Sequence, residues 1–237
     1  LKDEKWKESL SNLRFEAILV CHPNNPDGKL YTEDELKHIR FVAEQNQAWV
    51  ITDEIYSAYV FQSGGSIEEV FKGYDRLIRC NGMSKSHAMT GFRIGYMLVK
   101  DEGIRKSISA LNQNTITCAP AISQYLSLGY VEALPEVAKF SEYYLENRTL
   151  VLEVFPEWEA FAPDGGFYFF VNLAIYGIED AGTFCTACLK KAHVALVPGS
   201  AYGTGFDSWM RLSFSLDRDQ LRKALNALRQ FILDYQA

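Results

Sequence analysis

A chain of 237 residues with 48% apolar and 23% charged side chains has an ordinary globular composition, which excludes a disordered tail, a collagen-like repeat or a coiled coil. Thirty Asp and Glu against 24 Lys and Arg leave a net charge of −6, the opposite of the basic footprint of a nucleic-acid binder. No apolar run approaches the ~20 residues of a membrane helix, no segment has the layout of a signal peptide, and the 5 scattered cysteines suit reduced thiols in the cytoplasm.

The chain opens at Leu1 on a polar, helix-like stretch and reads as a piece of a longer polypeptide. Residues 17–21 (Ala-Ile-Leu-Val-Cys) are apolar throughout and too short for a helix, which predicts a buried strand. The next seven residues, His22-Pro23-Asn24-Asn25-Pro26-Asp27-Gly28, are rich in turn formers and predict an ordered turn in which His22 has a structural part. Thr32 followed by Glu35 has the spacing of a capping box, and Leu36, Ile39 and Ala43 continue it at helical intervals. A second buried strand is expected over 48–52, ending at Asp53-Glu54.

Beyond a Ser-Gly-Gly-Ser loop, where Ser66 and Glu69 again have capping-box spacing, a third short strand is expected over 77–80. A turn at Gly91-Phe92-Arg93 leads into a fourth, up to Val99. This βαβ rhythm predicts an α/β fold with a mostly parallel sheet flanked by helices. From there the pattern changes. Apolar residues spaced through 136–155 predict one long amphipathic helix ended by Pro156. Short strands at 166–173, 195–197 and 210–214, with helices at 181–192 and 217–235, predict a smaller α+β unit. The expected division is therefore a domain over 1–130 and a second over 131–237.

Open α/β sheets bind ligands beyond the carboxyl ends of their strands. Asn25 follows the first predicted strand, Asp53 and Tyr56 the second, Lys85 the third, and Arg93 precedes the fourth. Taken singly, each has an ordinary reading: a surface lysine, a helix-capping aspartate, a core tyrosine, a turn asparagine, a surface arginine. Together they would bring an amine, a carboxylate, a phenol, an amide and a guanidinium to one crevice. A glycine-rich turn of the kind that serves hydride-transfer cofactors is absent after the first strand. Arg211 stands inside an apolar strand beside Met210 and Leu212, and a guanidinium there needs a partner. Cys185-Thr186-Ala187-Cys188, with His193 beyond, is one CxxC without a second and reads as part of an amphipathic helix, not as a metal site.

The segment Gly82-Met83-Ser84-Lys85-Ser86-His87-Ala88-Met89-Thr90-Gly91-Phe92-Arg93 resembles the cofactor-lysine segment of class I/II pyridoxal-phosphate aminotransferases of fold type I. The 22–28 turn is similar to that family's Asn-Pro-x-Asn-Pro-x-Gly, Asp53-Glu54-Ile55-Tyr56 to its Asp-x-x-Tyr pair, and Arg211-Leu212-Ser213 to its late Arg-Leu-Ser strand. The motifs follow in family order over essentially the whole chain. The resemblance implies the aspartate-aminotransferase fold and pyridoxal 5′-phosphate as cofactor. Lys85 is then the Schiff-base lysine and proton carrier, and Asp53 the partner of the pyridine nitrogen. Tyr56 and Asn25 meet the phenolic oxygen, Arg93 and Ser84 the phosphate, and Arg211 with Asn25 the substrate carboxylate. Many members have serine where Gly82 stands, so one phosphate contact is missing or replaced.

The implied reaction moves an amino group between an L-amino acid, with aspartate among the possibilities, and a 2-oxo acid, in a homodimer of the cytoplasm. A carbon–sulfur β-lyase on the same scaffold, or a remnant without catalysis, are the alternatives. Family members carry a long N-terminal stretch that supplies a phosphate loop and an aromatic ring over the pyridine. Without it, this chain alone is expected to be inactive. Gly165, Gly166 and Gly199 are expected to act through the backbone near the substrate entrance.

Overall fold

A computed structural model describes residues 5–236. The chain divides into two compact units: one takes residues up to Asn24 together with Leu30–Phe140, the other Asn25–Lys29 together with everything from Ser141. The division falls inside the long helix, beyond the expected boundary near 130, and the Asn25–Lys29 turn goes with the C-terminal unit. The reason is a set of hydrogen bonds that no local pattern could announce. The Asp164 and Gly165 amides both donate to Gly28 O at 3.0 and 2.9 Å, and Lys29 Nζ donates to Ala162 O at 2.6 Å. Gly28 is in the left-handed region (φ +66°), and a Cβ there would run into Pro163 and the Gly165 carbonyl, so both conformation and space require glycine.

The first unit begins with helix α1 (Trp6–Ser11) and strand β1 (Ala17–Cys21). Helix α2 (Glu33–Asn46) starts with the expected capping box: Thr32 Oγ1 accepts from the Glu35 amide, and the Glu35 carboxylate from the Thr32 amide. Strand β2 (Trp49–Asp53) follows, then the short helix α3 (Ile67–Val70), whose cap Ser66 accepts from the Glu69 amide. Strand β3 (Leu77–Gly82) runs directly into the four-residue helix α4 (Met83–Ser86), and strand β4 (Gly95–Val99) completes the sheet. The strand order is β1-β2-β3-β4, with β1, β2 and β3 parallel and β4 antiparallel to β3.

The core of this unit lies on one face of the sheet, where Val20, Val50, Leu36, Ile39, Ala43 and Phe71 pack with Trp6 and Leu10 of α1. The expectation of a wholly buried β1 is corrected here. Val20 is buried but Leu19 is 69% exposed, because successive strand residues point to opposite faces and α1, α2 and α3 cover only the Val20 face. Helices α5 (Glu102–Thr115), capped by Asp101, and α6 (Ala121–Ser127) lie outside the predicted elements; α5 buries none of its residues and α6 only Ser123.

The polypeptide after β3 turns sharply. Ala88 closes α4 in the left-handed region (φ +54°) while donating its amide to Lys85 O at 3.1 Å. A Cβ there costs about 1 kcal/mol relative to glycine. Ala88→Gly is therefore expected to raise stability by up to about 1 kcal/mol, seen as a higher urea midpoint; a lower midpoint would show that this turn is unstrained.

Helix α7 (Leu134–Val154) matches the predicted long helix to within two residues at its start. The second unit contains the antiparallel sheet β5-β7-β6, made of β5 (Tyr168–Asn172), β6 (Val197–Pro198) and β7 (Trp209–Ser213). Helices α8 (Ala181–Ala192) and α9 (Arg218–Gln236) pack on each other, with the Phe184 and Phe231 rings 5.3 Å apart. Phe155 and Trp158 stack at 3.9 Å in the fully buried centre. Asn147, itself fully buried, donates from Nδ2 to the Phe214 and Leu216 carbonyls at 2.9 Å and so ties α7 to the end of β7.

Candidate active site

In the first unit the predicted residues gather where β2 and β3 end. Asp53 is the last residue of β2 and stands in register with Cys80 of β3. Its Oδ1 accepts from the Ile55 amide at 3.1 Å, which directs the chain into the turn bearing Tyr56. Tyr56 is buried, and Lys85 Nζ lies 5.8 Å from the centre of its ring. Burial, and then the Asp53 and Glu54 carboxylates, push the Cys80 thiol above its usual range.

Behind Asp53, Glu54 is buried and held by a two-pronged ion pair, with Arg79 Nε donating to Oε1 at 2.7 Å and Nη2 to Oε2 at 2.6 Å. Thr52 Oγ1 adds a bond to Oε1 at 2.7 Å. The bond from Glu54, ahead of the cost of burial, raises the Arg79 guanidinium further above its ordinary value. The Glu54 amide donates to Cys80 O at 2.9 Å, so the same residue ties the ends of β2 and β3 through backbone and side chain alike.

Ser84 and Lys85 ride on α4. Gly82 and Gly95 face each other across β3 and β4, and a Cβ on Gly95 would lie 2.8 Å from Asn81 O, so the two strand ends approach more closely than a side chain allows. This approach brings the Thr90–Phe92 turn to α4: Thr90 Oγ1 donates to Ser84 O at 2.7 Å, and Arg93 Nη1 donates to Thr90 O at 3.0 Å. Arg93 is exposed and left-handed (φ +54°). Lys85, Ser84, Tyr56, Asp53 and Arg93 thus belong to one contiguous stretch of the first unit. Thr90, which links Ser84 to Arg93, was not singled out in the sequence; its place three residues before Arg93 was the available signal.

His22 is confirmed in a structural part. Its Nδ1 accepts from the Tyr31 amide at 3.2 Å, which leaves the proton on Nε2 to be donated to Gly65 O at 3.0 Å. It ties the 22–28 turn to the glycine loop.

Asn25 and Arg211 belong to the second unit. Arg211 in β7 points away from its buried neighbours Met210 and Leu212, as strand alternation requires. Its Nη1 donates to Asn25 Oδ1 at 2.8 Å, across 186 residues of sequence. The guanidinium carbon lies 4.0 Å from the Tyr168 ring centre and 5.2 Å from that of Tyr202. Nε is buried and has no hydrogen-bond partner among the described residues. A buried donor left unpaired is costly, so this nitrogen calls for an acceptor. Tyr168 and Tyr202 escaped the sequence reading; position 168 lies two residues past Gly166 on a strand whose partner carries Arg211.

Gly199 precedes the second aromatic of that cage, and a Cβ on it would lie 2.6 Å from Trp209 Cβ. Cys185 and Cys188 both lie in the core face of α8, and burial raises their thiols to about 12 and about 11. Among the described residues no group of three or more His, Cys, Asp or Glu side chains is placed to hold a metal ion.

The donor set of the first unit fits pyridoxal 5′-phosphate by its chemistry: an amine for an aldehyde, a carboxylate for a pyridinium, a phenol for a phenolate, and a hydroxyl and guanidinium for a phosphate. A mostly parallel sheet with such a lysine-bearing turn after one strand, and an α+β unit with a caged arginine, define the aspartate-aminotransferase-like class of α/β proteins. Residues 3–228 match the family of class I and II aminotransferases, and the chain belongs to that family. It is 33% identical over 223 residues to an aspartate aminotransferase of Thermotoga maritima, covering 92% of this chain and 56% of the relative. To a probable N-acetyl-LL-diaminopimelate aminotransferase of Bacillus subtilis it is 34% identical over 225 residues, covering 92% and 55%. The crystal structure of the Thermotoga aspartate aminotransferase superimposes with a TM-score of 0.85 at 31% identity, covering 96% of this chain and 60% of that one. The chain therefore spans little more than half the length of these relatives. No helix among the described residues is long and apolar enough to cross a membrane.

Proposed function

We propose that this chain carries the cofactor-lysine and carboxylate-binding portions of an aminotransferase that moves an amino group from an L-amino acid to a 2-oxo acid. The observation that carries the reading is Arg211: a half-buried guanidinium, stacked on Tyr168 and fixed at Nη1 by Asn25, with an unpartnered Nε edge. A guanidinium is a planar fork of donors that suits two parallel hydrogen bonds to an α-carboxylate, the group that every amino acid and 2-oxo acid shares.

Bound pyridoxal 5′-phosphate supplies an aldehyde that captures amines and a ring that takes up electrons. Lys85 would hold it through Nζ, and its amine is the group placed to carry the proton that amino transfer requires. Asp53 would keep a proton on the ring nitrogen by presenting a carboxylate to it, and Tyr56 would donate to its phenolic oxygen. Arg93 and Ser84 bind the phosphate. Arg211, with Asn25 beside it, orients the substrate by its carboxylate. A homodimer and aspartate as amino donor follow the same family reading, as does a place in cytoplasmic amino-acid biosynthesis.

Because this chain alone is expected to be inactive, the test is product analysis with pyridoxal 5′-phosphate, L-aspartate and 2-oxoglutarate on a polypeptide that supplies the N-terminal stretch together with this chain. Glutamate formation, and its loss by at least about tenfold in Arg211→Leu through one missing charge-assisted contact, are expected. Ammonia and pyruvate released with a thiol from a cysteine S-conjugate would replace this reading with a β-lyase.

A further inference from the structure

Helix α4 has only four residues and lacks a side-chain cap at its start. A helix of one turn does not hold itself together, so the position of Lys85 depends on what grips the turn from outside. One grip is Thr90 on the Ser84 carbonyl, at 2.7 Å on the exposed side. Another comes from below. Tyr59, 1% exposed, donates its hydroxyl to the carbonyl oxygen of Lys85 itself at 2.8 Å, with the Ser86 carbonyl at 3.4 Å. The Tyr59 amide donates to Tyr56 O at 2.9 Å, so the turn that sets the Tyr56 ring near Lys85 Nζ is the same turn that grips the Lys85 backbone.

We infer that Tyr59 is a positioning residue for Lys85: its hydroxyl, not only its ring, fixes the α4 turn and with it the placement of the lysine amine against Tyr56. A tyrosine serving merely as core filler would need no oxygen, and phenylalanine would replace it without consequence. Here the oxygen is spent on the one peptide unit whose side chain is the proposed cofactor anchor. The inference rests on the functional reading of Lys85 given above, but its first readout does not need the cofactor.

The experiment is Tyr59→Phe in the full chain, followed by hydrogen–deuterium exchange with peptide resolution. Exchange over 83–89 is expected to rise about tenfold, the loss of one buried hydrogen bond, while peptides from β1 and α8 keep their parent rates. In parallel, pyridoxal 5′-phosphate trapped on Lys85 with borohydride is expected to need about tenfold more cofactor for half-saturation. Placing p-aminophenylalanine at position 59, which restores an N–H donor on the same ring, is expected to return both values toward the parent. Parent-like exchange over 83–89 in Tyr59→Phe would overturn the inference. So would loss of cooperative unfolding in that variant, since the hydroxyl would then support the whole unit instead of this turn. Failure of the parent chain to form any adduct at Lys85 would overturn the functional reading instead, and the exchange data would still decide the role of Tyr59.

Discussion

Lys85→Ala is expected to abolish the borohydride-stable attachment of pyridoxal 5′-phosphate to this chain. Any accessible lysine condenses weakly with an aldehyde, so the decisive quantity is selectivity among the lysines. Lys85 combines a partly shielded amine 5.8 Å from the Tyr56 ring with a carboxylate, Asp53, at the end of the strand beside β3. After trapping and proteolysis, the parent chain is expected to concentrate the label in the peptide containing residues 83–89. Lys85→Ala removes that label, and Lys85→Arg does not restore it, because a guanidinium stays charged and is no nucleophile near neutral pH. Lys85 is only half-buried and its removal opens no cavity, so the urea midpoint should correspond to a stability change within about 0.5 kcal/mol. An even spread of label over surface lysines in the parent would remove the basis for assigning the cofactor to this site.

The second large effect is one of stability. Arg79→Met should cost about 2–4 kcal/mol, read from urea unfolding; this is below the full range for a buried pair because Arg79 keeps partial contact with water. The cost arises less from the lost attraction than from the stranded partner. The Glu54 carboxylate would remain buried, with the Thr52 hydroxyl still donating to it but the guanidinium gone. The prediction separates these causes. Arg79→Met combined with Glu54→Leu removes both charges and should recover most of the loss, since paired apolar replacements leave nothing unsatisfied. If the double variant is as unstable as the single one, the pair matters through packing and not through charge. Because Glu54 adjoins Asp53 and its amide bonds to Cys80 O, the single variant should also weaken the trapping of cofactor at Lys85.

Much of this molecule is local in origin. The Thr32-Glu35 capping box, the alternation of short apolar strands with a capped helix, and the long helix ended by Pro156 each arise from interactions within a few residues, and each forms where its residues predict. The site residues of the first unit were legible for the same reason. Asp53 and Lys85 sit at strand ends, and the parallel pairing of β2 with β3 that follows from a βαβ connection puts those ends side by side. Arg211 could be flagged as needing a partner because a charge among apolar residues has a cost wherever it is.

Composition and spacing were thus enough for the fold class and for naming candidate residues at the strand ends, and the resemblance carried by the motifs for the family. What they could not specify were contacts whose two halves lie far apart in the chain. Asn25 is the partner of Arg211 across 186 residues, and the Asn25–Lys29 turn joins the second unit through the 162–165 loop. Tyr59 reaches the Lys85 carbonyl across 26 residues, and Tyr168 and Tyr202 cage a guanidinium from other segments. The exposure of Leu19 belongs with these: an apolar strand does not reveal which of its faces a helix will cover. Hydrogen bonds, ring stacking and burial act over a few ångströms in space, so only the folded backbone decides which distant residues come within their reach.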